Sequence, residues 1–187
     1  FSGVKMFYKE SSKCNPLNYY AKSKLMSENL IKKNLKNYLI LRTNFYGVGP
    51  KYRNSFSDWI INSLKNDKNI FMFKDVFFTP ILINDFSDIL KNLINKNIKG
   101  IFNVSGKERI SKYKFAVKLA KIFKFRSNLI KEISIKEVKL TRRPLDMSLD
   151  ITKLKKTIVI KPKSINQSLR YLKKIINSSY YKKIKSI

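Results

Sequence analysis

The sequence predicts an α/β fold, because short apolar runs typical of strands alternate along the chain with longer amphipathic segments typical of helices. Its 187 residues suit one domain or most of one, and 43% of them are hydrophobic, including 13 Phe and 10 Tyr. A folded chain of this length buries roughly two-thirds of its unfolded surface, so we expect a hydrophobic core despite the high charge.

The N-terminal part is predicted to contain a loop, a helix and a strand. Gly3 and the pair Asn15-Pro16 favour a loop over the first 17 residues. Asn18 can cap a helix over about 19–34, and the apolar run 38–43 is typical of a buried parallel strand. The apolar positions of the helix fit loosely on one stripe: Tyr20, Leu25, Leu30 and Ile31.

The rest of the chain continues this alternation. Gly47, Gly49 and Pro50 predict a loop after the first strand. Ser111 and Ser164 can each cap a further helix. The predicted helices span about 55–65, 85–95, 111–123, 151–155 and 165–176, and the predicted strands span 70–73, 101–104 and 133–135.

The formal net charge of +29 first suggests a nucleic-acid partner. The basic residues are 34 Lys and only 7 Arg, and the chain also has 18 Asn and 24 Ile. Lys, Asn and Ile all have A/T-rich codons, whereas a nucleic-acid surface would favour Arg, whose planar fork contacts guanine and phosphate. We therefore expect no nucleic-acid partner. The densest lysine cluster is predicted to be a solvated, frayed tail: Lys182, Lys183 and Lys185.

Composition also excludes several kinds of site. The chain has no His and one cysteine, Cys14, which excludes a His-dependent triad, a disulfide framework and a Cys-based zinc site within one chain. No apolar run reaches about 18 residues, so neither a transmembrane helix nor a membrane partner is predicted. The first residue, Phe1, is not followed by a secretion signal, which favours a cytoplasmic location.

The main chemical signal is Tyr20-x-x-x-Lys24 on the first predicted helix. A spacing of four residues places both side chains on one face of a helix, within reach of one small molecule. A neighbouring ammonium favours the phenolate and so lowers the pKa of a tyrosine, which makes the pair a candidate general acid/base. By spacing alone, a surface lysine beside a packed tyrosine is the more common explanation of the pattern.

A longer pattern surrounds the pair, running Asn15-Pro-Leu-Asn18-x-Tyr20-x-x-Ser23-Lys24-Leu25-x-x-Glu28. Further motifs follow in order: Leu41-Arg-Thr-Asn-Phe-Tyr-Gly47, Asn54-Ser-Phe56, Phe77-Phe-Thr-Pro80 with Asp85, Gly100-Ile-Phe-Asn-Val-Ser-Gly106, and Arg142-Arg-Pro144 through Lys153-Leu154. Their order resembles that in extended short-chain dehydrogenases/reductases, especially the branch of dTDP-4-dehydrorhamnose reductases and related sugar-nucleotide-binding proteins. The resemblance covers nearly all of the chain.

The resemblance implies a Rossmann-type NAD(P)-binding fold with a smaller substrate-binding lobe. It implies that NADPH or NADH reduces a 4-keto sugar nucleotide. Residues 1–46 would be the end of the Rossmann part with the catalytic helix, and residues 47–187 mostly the substrate-binding lobe, with interleaved Rossmann elements. Tyr20 would donate a proton to the ketone, while Lys24 would tune Tyr20 and hold the nicotinamide ribose.

Further binding residues follow from the same resemblance. Asn44 and Phe45 would lie near the nicotinamide and the sugar, but rhamnose enzymes often have Ser-Trp there, which leaves the sugar open. Phe45 would stack on a sugar or belong to the core. Arg143 would contact a phosphate or pair with Asp146 or Asp150. The remaining predicted substrate-binding residues are Arg53, Asn54 and Pro80.

Two parts of such an enzyme do not occur in this sequence. Its five glycines form no G-x-G-x-x-G or G-x-x-G-x-x-G cradle for a pyrophosphate, and the family's carbonyl-polarising Ser or Thr would precede Phe1. We therefore expect the C-terminal part of a longer reductase, inactive alone, with a homodimer as one allowed assembly. Two alternatives stay open: a non-catalytic sugar-nucleotide-binding or regulatory subunit of the same fold, and a sugar-nucleotide epimerase or dehydratase.

Overall fold

The computed structural model describes residues 1–186 and confirms the alternation of helices and strands. Seven α-helices lie in that range: α1 (Tyr19–Asn34), α2 (Phe56–Lys65), α3 (Ile83–Asn95), α4 (Lys112–Phe123), α5 (Thr152–Thr157), α6 (Ile165–Ile176) and α7 (Ser179–Ser186). Eight strands lie in the same range: β1 (Leu39–Thr43), β2 (Phe45–Tyr46), β3 (Ile70–Phe73), β4 (Phe77–Phe78), β5 (Ile81–Leu82), β6 (Gly100–Val104), β7 (Ile110–Ser111) and β8 (Ile130–Ile133).

Side-chain caps fix the starts of four helices. The Asn18 side chain accepts a hydrogen bond from the backbone N–H of Ala21 at 2.9 Å, which confirms the predicted start of α1. Ser111 caps α4 in the same way, while Ser55 and Ser164 form capping boxes at α2 and α6. These helix starts were predictable because a cap is made within four residues of sequence.

The strands pair across long stretches of sequence. β1 is parallel to β6, with Leu39 opposite Gly100 and Thr43 opposite Val104, and β2 is parallel to β5. β3 is parallel to β8, whereas β4 and β7 are antiparallel. The strand predicted at 133–135 lies at 130–133 instead, because pairing with β3 sets Ile130 opposite Ile70.

Two hydrophobic clusters hold these elements together. In the larger cluster, α2, α4 and α6 pack with β3 and β8 around the fully buried Phe115. In the smaller cluster, α3 and α5 pack against β6 through Leu93, Val104 and Leu154, each fully buried. Full burial of such a side chain stabilises the fold by about 1.5–3 kcal/mol, so these clusters carry the framework on which the loops are placed.

Two helices depart from what the sequence pattern indicates. No residue of α1 is buried in the described structure, so its predicted apolar stripe does not enter the core. The prediction of a frayed tail is wrong, since Ser179–Ser186 form α7. Of the helices in residues 1–186, none has the length and apolar character needed to cross a membrane.

Candidate active-site groove

Tyr20 and Lys24 lie on one face of α1, close to its N-terminus. The Lys24 ammonium nitrogen is 5.5 Å from the centroid of the Tyr20 ring. Tyr20 is 73% exposed, so its side chain is open to an incoming molecule. The helical spacing therefore brings the phenol and the ammonium together, and the remainder of the site depends on which other residues share that face.

A groove of about 550 Å³ runs between α1, β1 and the segment 144–149. Four of the predicted site residues line it: Tyr20, Lys24, Asn44 and Phe45. Two other members of the predicted apolar stripe, Leu25 and Ile31, also line this α1 groove. The stripe of α1 thus faces a concave surface of the size that a small molecule occupies.

A bidentate ion pair joins α1 to β1 beside the groove. Arg42 donates from Nε to Glu28 Oε1 at 2.9 Å and from Nη2 to Glu28 Oε2 at 2.6 Å. Its Nη1 also donates to the backbone carbonyl of Glu10 at 3.1 Å. The hydrogen bonds to Glu28 raise the pKa of the Arg42 guanidinium above its usual value. Both residues occur in the family motifs, but the sequence analysis gave neither of them a role.

Asn44 and Thr43 follow each other at the carboxyl end of β1. The Asn44 side-chain amide donates to the backbone carbonyl of Met147 at 2.8 Å, which holds the segment 144–149 at the rim of the α1 groove. The Thr43 hydroxyl is buried, lines the groove, and has no hydrogen-bond partner in residues 1–186. A buried hydroxyl without a partner is unfavourable, and because this one is closed to solvent it does not contact a molecule in the groove.

Phe45 separates the α1 groove from a second cavity. Its ring is 59% exposed, so the interpretation as a core aromatic is wrong. The second cavity, of about 440 Å³, is formed mainly by the loop between β2 and α2, and we call it the loop cavity. Arg53 and Asn54 line it together with Phe45. Three of the predicted substrate-binding residues therefore meet at one place.

Pro80 and Arg143 lie apart from both cavities. Pro80 is buried and lines a separate cavity of about 230 Å³ between α3 and the segment 159–165. Arg143 is exposed on the surface, next to Pro144, which lines the α1 groove.

The alternative salt bridges for Arg143 do not form. Asp146 accepts from Arg109 instead, at 2.7 Å from Nε and 2.6 Å from Nη2. Asp150 accepts from the backbone N–H of Thr152 at 2.6 Å. Within residues 1–186, Arg143 makes no ion pair, so its guanidinium is available to a ligand.

The side chains that commonly bind metal ions do not cluster within residues 1–186. Residues 1–186 contain no cluster of three or more His, Cys, Asp or Glu side chains with the geometry to hold a metal ion. The α1 groove is lined by a phenol, one ammonium, an amide and hydroxyls, together with two carboxylates that are paired with arginines. This set suits proton donation and hydrogen bonding to a polar organic ligand.

Comparisons with known proteins identify the family. The model of the RmlD substrate binding domain matches residues 1–178. The chain is 29% identical over 165 residues to methionine adenosyltransferase 2 subunit beta of Xenopus tropicalis, covering 83% of this chain and 49% of that protein. It is 27% identical over 178 residues to dTDP-4-dehydrorhamnose reductase of Aggregatibacter actinomycetemcomitans, covering 89% and 60%.

A solved structure supports the same fold. The dTDP-4-dehydrorhamnose reductase of Bacillus anthracis in complex with NADP superimposes with a TM-score of 0.85 at 24% identity, covering 95% of this chain and 62% of that one. The chain spans about half the length of the curated relatives it matches. The predicted Rossmann-type α/β class is confirmed, and the chain belongs to the RmlD substrate-binding domain family of the short-chain dehydrogenases/reductases.

Proposed function

We propose that this chain supplies the proton-donating pair and the sugar-nucleotide site of an NAD(P)H-dependent reductase that acts on a 4-keto sugar nucleotide. The observation that carries the proposal is the convergence of Tyr20 and Lys24 on one groove with Asn44 and Phe45. Membership of the RmlD family and the similarity to a dTDP-4-dehydrorhamnose reductase support it. The proposal concerns the whole protein that contains this chain.

Tyr20 acts as the general acid in this proposal. Its exposed phenol donates a proton to the ketone oxygen of a sugar bound in the α1 groove. The ammonium of Lys24, on the same helix face, stabilises the negative charge that develops on the phenol oxygen as the proton leaves. An ammonium also donates up to three hydrogen bonds, so Lys24 can hold hydroxyl groups of a ribose at the same time.

The residues of the groove fit the nicotinamide end of a dinucleotide. NADPH or NADH, when bound, supplies the hydride. The ammonium of Lys24 offers hydrogen-bond donors to the ribose of the nicotinamide. The five glycines of this chain do not form a Gly-rich pyrophosphate turn. We therefore assign only the nicotinamide end of the cofactor to these residues.

The sugar nucleotide occupies the junction of the α1 groove and the loop cavity. Phe45 borders both, and its exposed ring offers a flat apolar face to a sugar. Arg53 and Asn54 line the loop cavity, where a guanidinium fork and an amide suit the pyrophosphate. The net charge of +29 attracts such an anion from solution.

A matched pair of variants on α1 tests the catalytic assignment. Tyr19 and Lys22 form a second pair on the same helix, with the Lys22 ammonium also 5.5 Å from the Tyr19 ring, but neither residue lines the groove. In the whole protein, we expect Tyr20→Phe to lower kcat for ketone reduction by about 10²–10⁴-fold. Tyr19→Phe should leave kcat unchanged. An active Tyr20→Phe enzyme would refute the role of Tyr20.

A second candidate function is that of a non-catalytic subunit. The similarity to methionine adenosyltransferase 2 subunit beta favours it, since that relative is named as a subunit of another enzyme. In this case the whole protein would bind a purified methionine adenosyltransferase catalytic subunit with micromolar or tighter affinity and would not consume NADPH with any 4-keto sugar nucleotide. Binding without reduction would favour the subunit, and reduction that depends on Tyr20 would favour the enzyme.

A further inference from the structure

The C-terminal helix α7 makes one contact that its composition does not suggest. It lies beyond residue 178, where the match to the family model ends. Two of its lysines, Lys182 and Lys183, are exposed, as a solvated tail would have them. Lys185 is different, because its ammonium lies 3.3 Å from Oδ2 of Asp58 and its side chain is only 20% exposed.

Asp58 binds both ends of the loop 49–55, which forms a wall of the loop cavity. Its carboxylate is 2% exposed, and its Oδ2 accepts from the backbone N–H of Gly49 at 2.7 Å and of Ser55 at 3.1 Å. These two N–H groups lie at opposite ends of the loop 49–55. One carboxylate oxygen therefore joins both ends of the loop to the tail helix.

The same loop presents the two polar residues of the loop cavity. Arg53 and Asn54 lie between the two N–H groups that Asp58 binds, and both line the cavity. Arg53 also donates its backbone N–H to the carbonyl of Pro50 at 3.1 Å, which forms a tight turn inside the loop. Loosening Asp58 would thus displace Arg53 and Asn54 together.

We propose that Lys185 is a positioning residue, which acts through Asp58 to hold the loop 49–55 in the shape that forms the wall of the loop cavity. A buried carboxylate needs a compensating positive charge, and Lys185 is the one cation within ion-pair distance of Asp58 in residues 1–186. Tyr181 of α7 belongs to the same contact: burial, and then the charge of Asp58, raise the pKa of its phenol above the usual value.

Hydrogen exchange tests, without any ligand, whether Lys185 holds the loop 49–55 in place. We expect Lys185→Ala to speed the exchange of the Gly49 and Ser55 amides about 10-fold, the factor that corresponds to about 1.4 kcal/mol. Lys183→Ala is the matched control, because Lys183 is exposed on the same helix, and it should leave these amides unchanged. Lys185→Arg keeps the charge and should restore most of the protection.

A truncation after Ser178 removes α7 altogether. It serves as a second test in case Lys185→Ala unfolds that helix. It should speed the same two amides at least as much as Lys185→Ala does, while amides of the larger hydrophobic cluster keep their protection. Unchanged exchange of Gly49 and Ser55 in both the truncated chain and Lys185→Ala would overturn the proposal.

The consequence for ligand binding rests on the proposed function and is measured in a separate experiment. Thymidine diphosphate serves as the probe of the pyrophosphate site, and we expect Lys185→Ala to weaken its binding several-fold while Lys183→Ala does not. If the whole wild-type protein does not bind thymidine diphosphate, the assignment of Arg53 and Asn54 to a pyrophosphate is refuted, and the hydrogen-exchange result still decides the role of Lys185.

Discussion

Replacing Lys112 with Met is expected to stabilise the protein at neutral pH, because the Lys112 ammonium is held among aromatic rings. Its nitrogen lies 3.5 Å from the centroid of the Phe78 ring and 4.3 Å from that of Phe56. No carboxylate in residues 1–186 pairs with it. Burial lowers the pKa of Lys112 from 10.5 to about 7.

The size of the effect follows from that pKa. A fall from 10.5 to about 7 corresponds to about 5 kcal/mol of unfavourable charge burial. Contact of the ammonium with two aromatic faces favours the charged form and is part of the balance that this pKa expresses. We therefore expect Lys112→Met to raise the free energy of unfolding by about 4–5 kcal/mol below pH 7, where Lys112 is charged in the folded protein.

The contribution of Lys112 to the free energy of unfolding changes with pH in a definite direction. Between pH 7 and 10.5 the unfolded chain keeps the Lys112 proton while the folded protein releases it, so the unfolded state binds more protons. The contribution of Lys112 to the free energy of unfolding therefore becomes more favourable as pH rises through this window. The advantage of Lys112→Met should shrink to about 1 kcal/mol at pH 9.5.

Urea unfolding of the wild type and the variant at pH 6 and pH 9.5 measures both effects. Lys114→Met is the control, since Lys114 is exposed on the same helix and should change the free energy of unfolding little at either pH. A Lys112→Met protein that is less stable than the wild type at pH 6, or equally stabilised at both pH values, would refute the reasoning.

Two further variants probe the ion pairs around the α1 groove. Arg42→Met leaves the partly buried carboxylate of Glu28 without its bidentate partner and should lower the free energy of unfolding by about 2 kcal/mol in urea titrations; a loss below about 1 kcal/mol would contradict this. Asp146→Ala leaves Arg109 unpaired and removes the acceptor of the Ser148 hydroxyl, so we expect a loss of about 3 kcal/mol and a lower Tm by calorimetry, and an unchanged Tm would argue against it.

The features that the sequence predicted well are those made over short stretches of chain. The caps of Asn18, Ser55, Ser111 and Ser164 each bind an N–H within three residues, so the helix starts were visible as local patterns. The Tyr20–Lys24 spacing is local in the same sense, because helical geometry alone fixes which residues share a face.

The features that the sequence missed depend on distant partners. Lys185 pairs with Asp58, which lies 127 residues earlier in the sequence, so a run of tail lysines gave no sign that one of them is held in an ion pair. Asp146 pairs with Arg109, 37 residues earlier in the sequence, and not with its near neighbour Arg143. Because of its pairing with β3, β8 begins three residues and ends two residues earlier than the sequence predicted.

The placement of the proposed catalytic pair rests on polar contacts more than on hydrophobic packing. Since no residue of α1 is buried, the position of Tyr20 and Lys24 depends on what anchors the helix at its ends and side. Asn18 anchors the N-terminus twice, by capping α1 and by donating to the backbone carbonyl of Arg142 at 3.0 Å. The pair of Glu28 with Arg42 anchors the helix to β1. Polar contacts are directional and fix orientation as well as distance, so these anchors determine how the phenol and the ammonium face the groove.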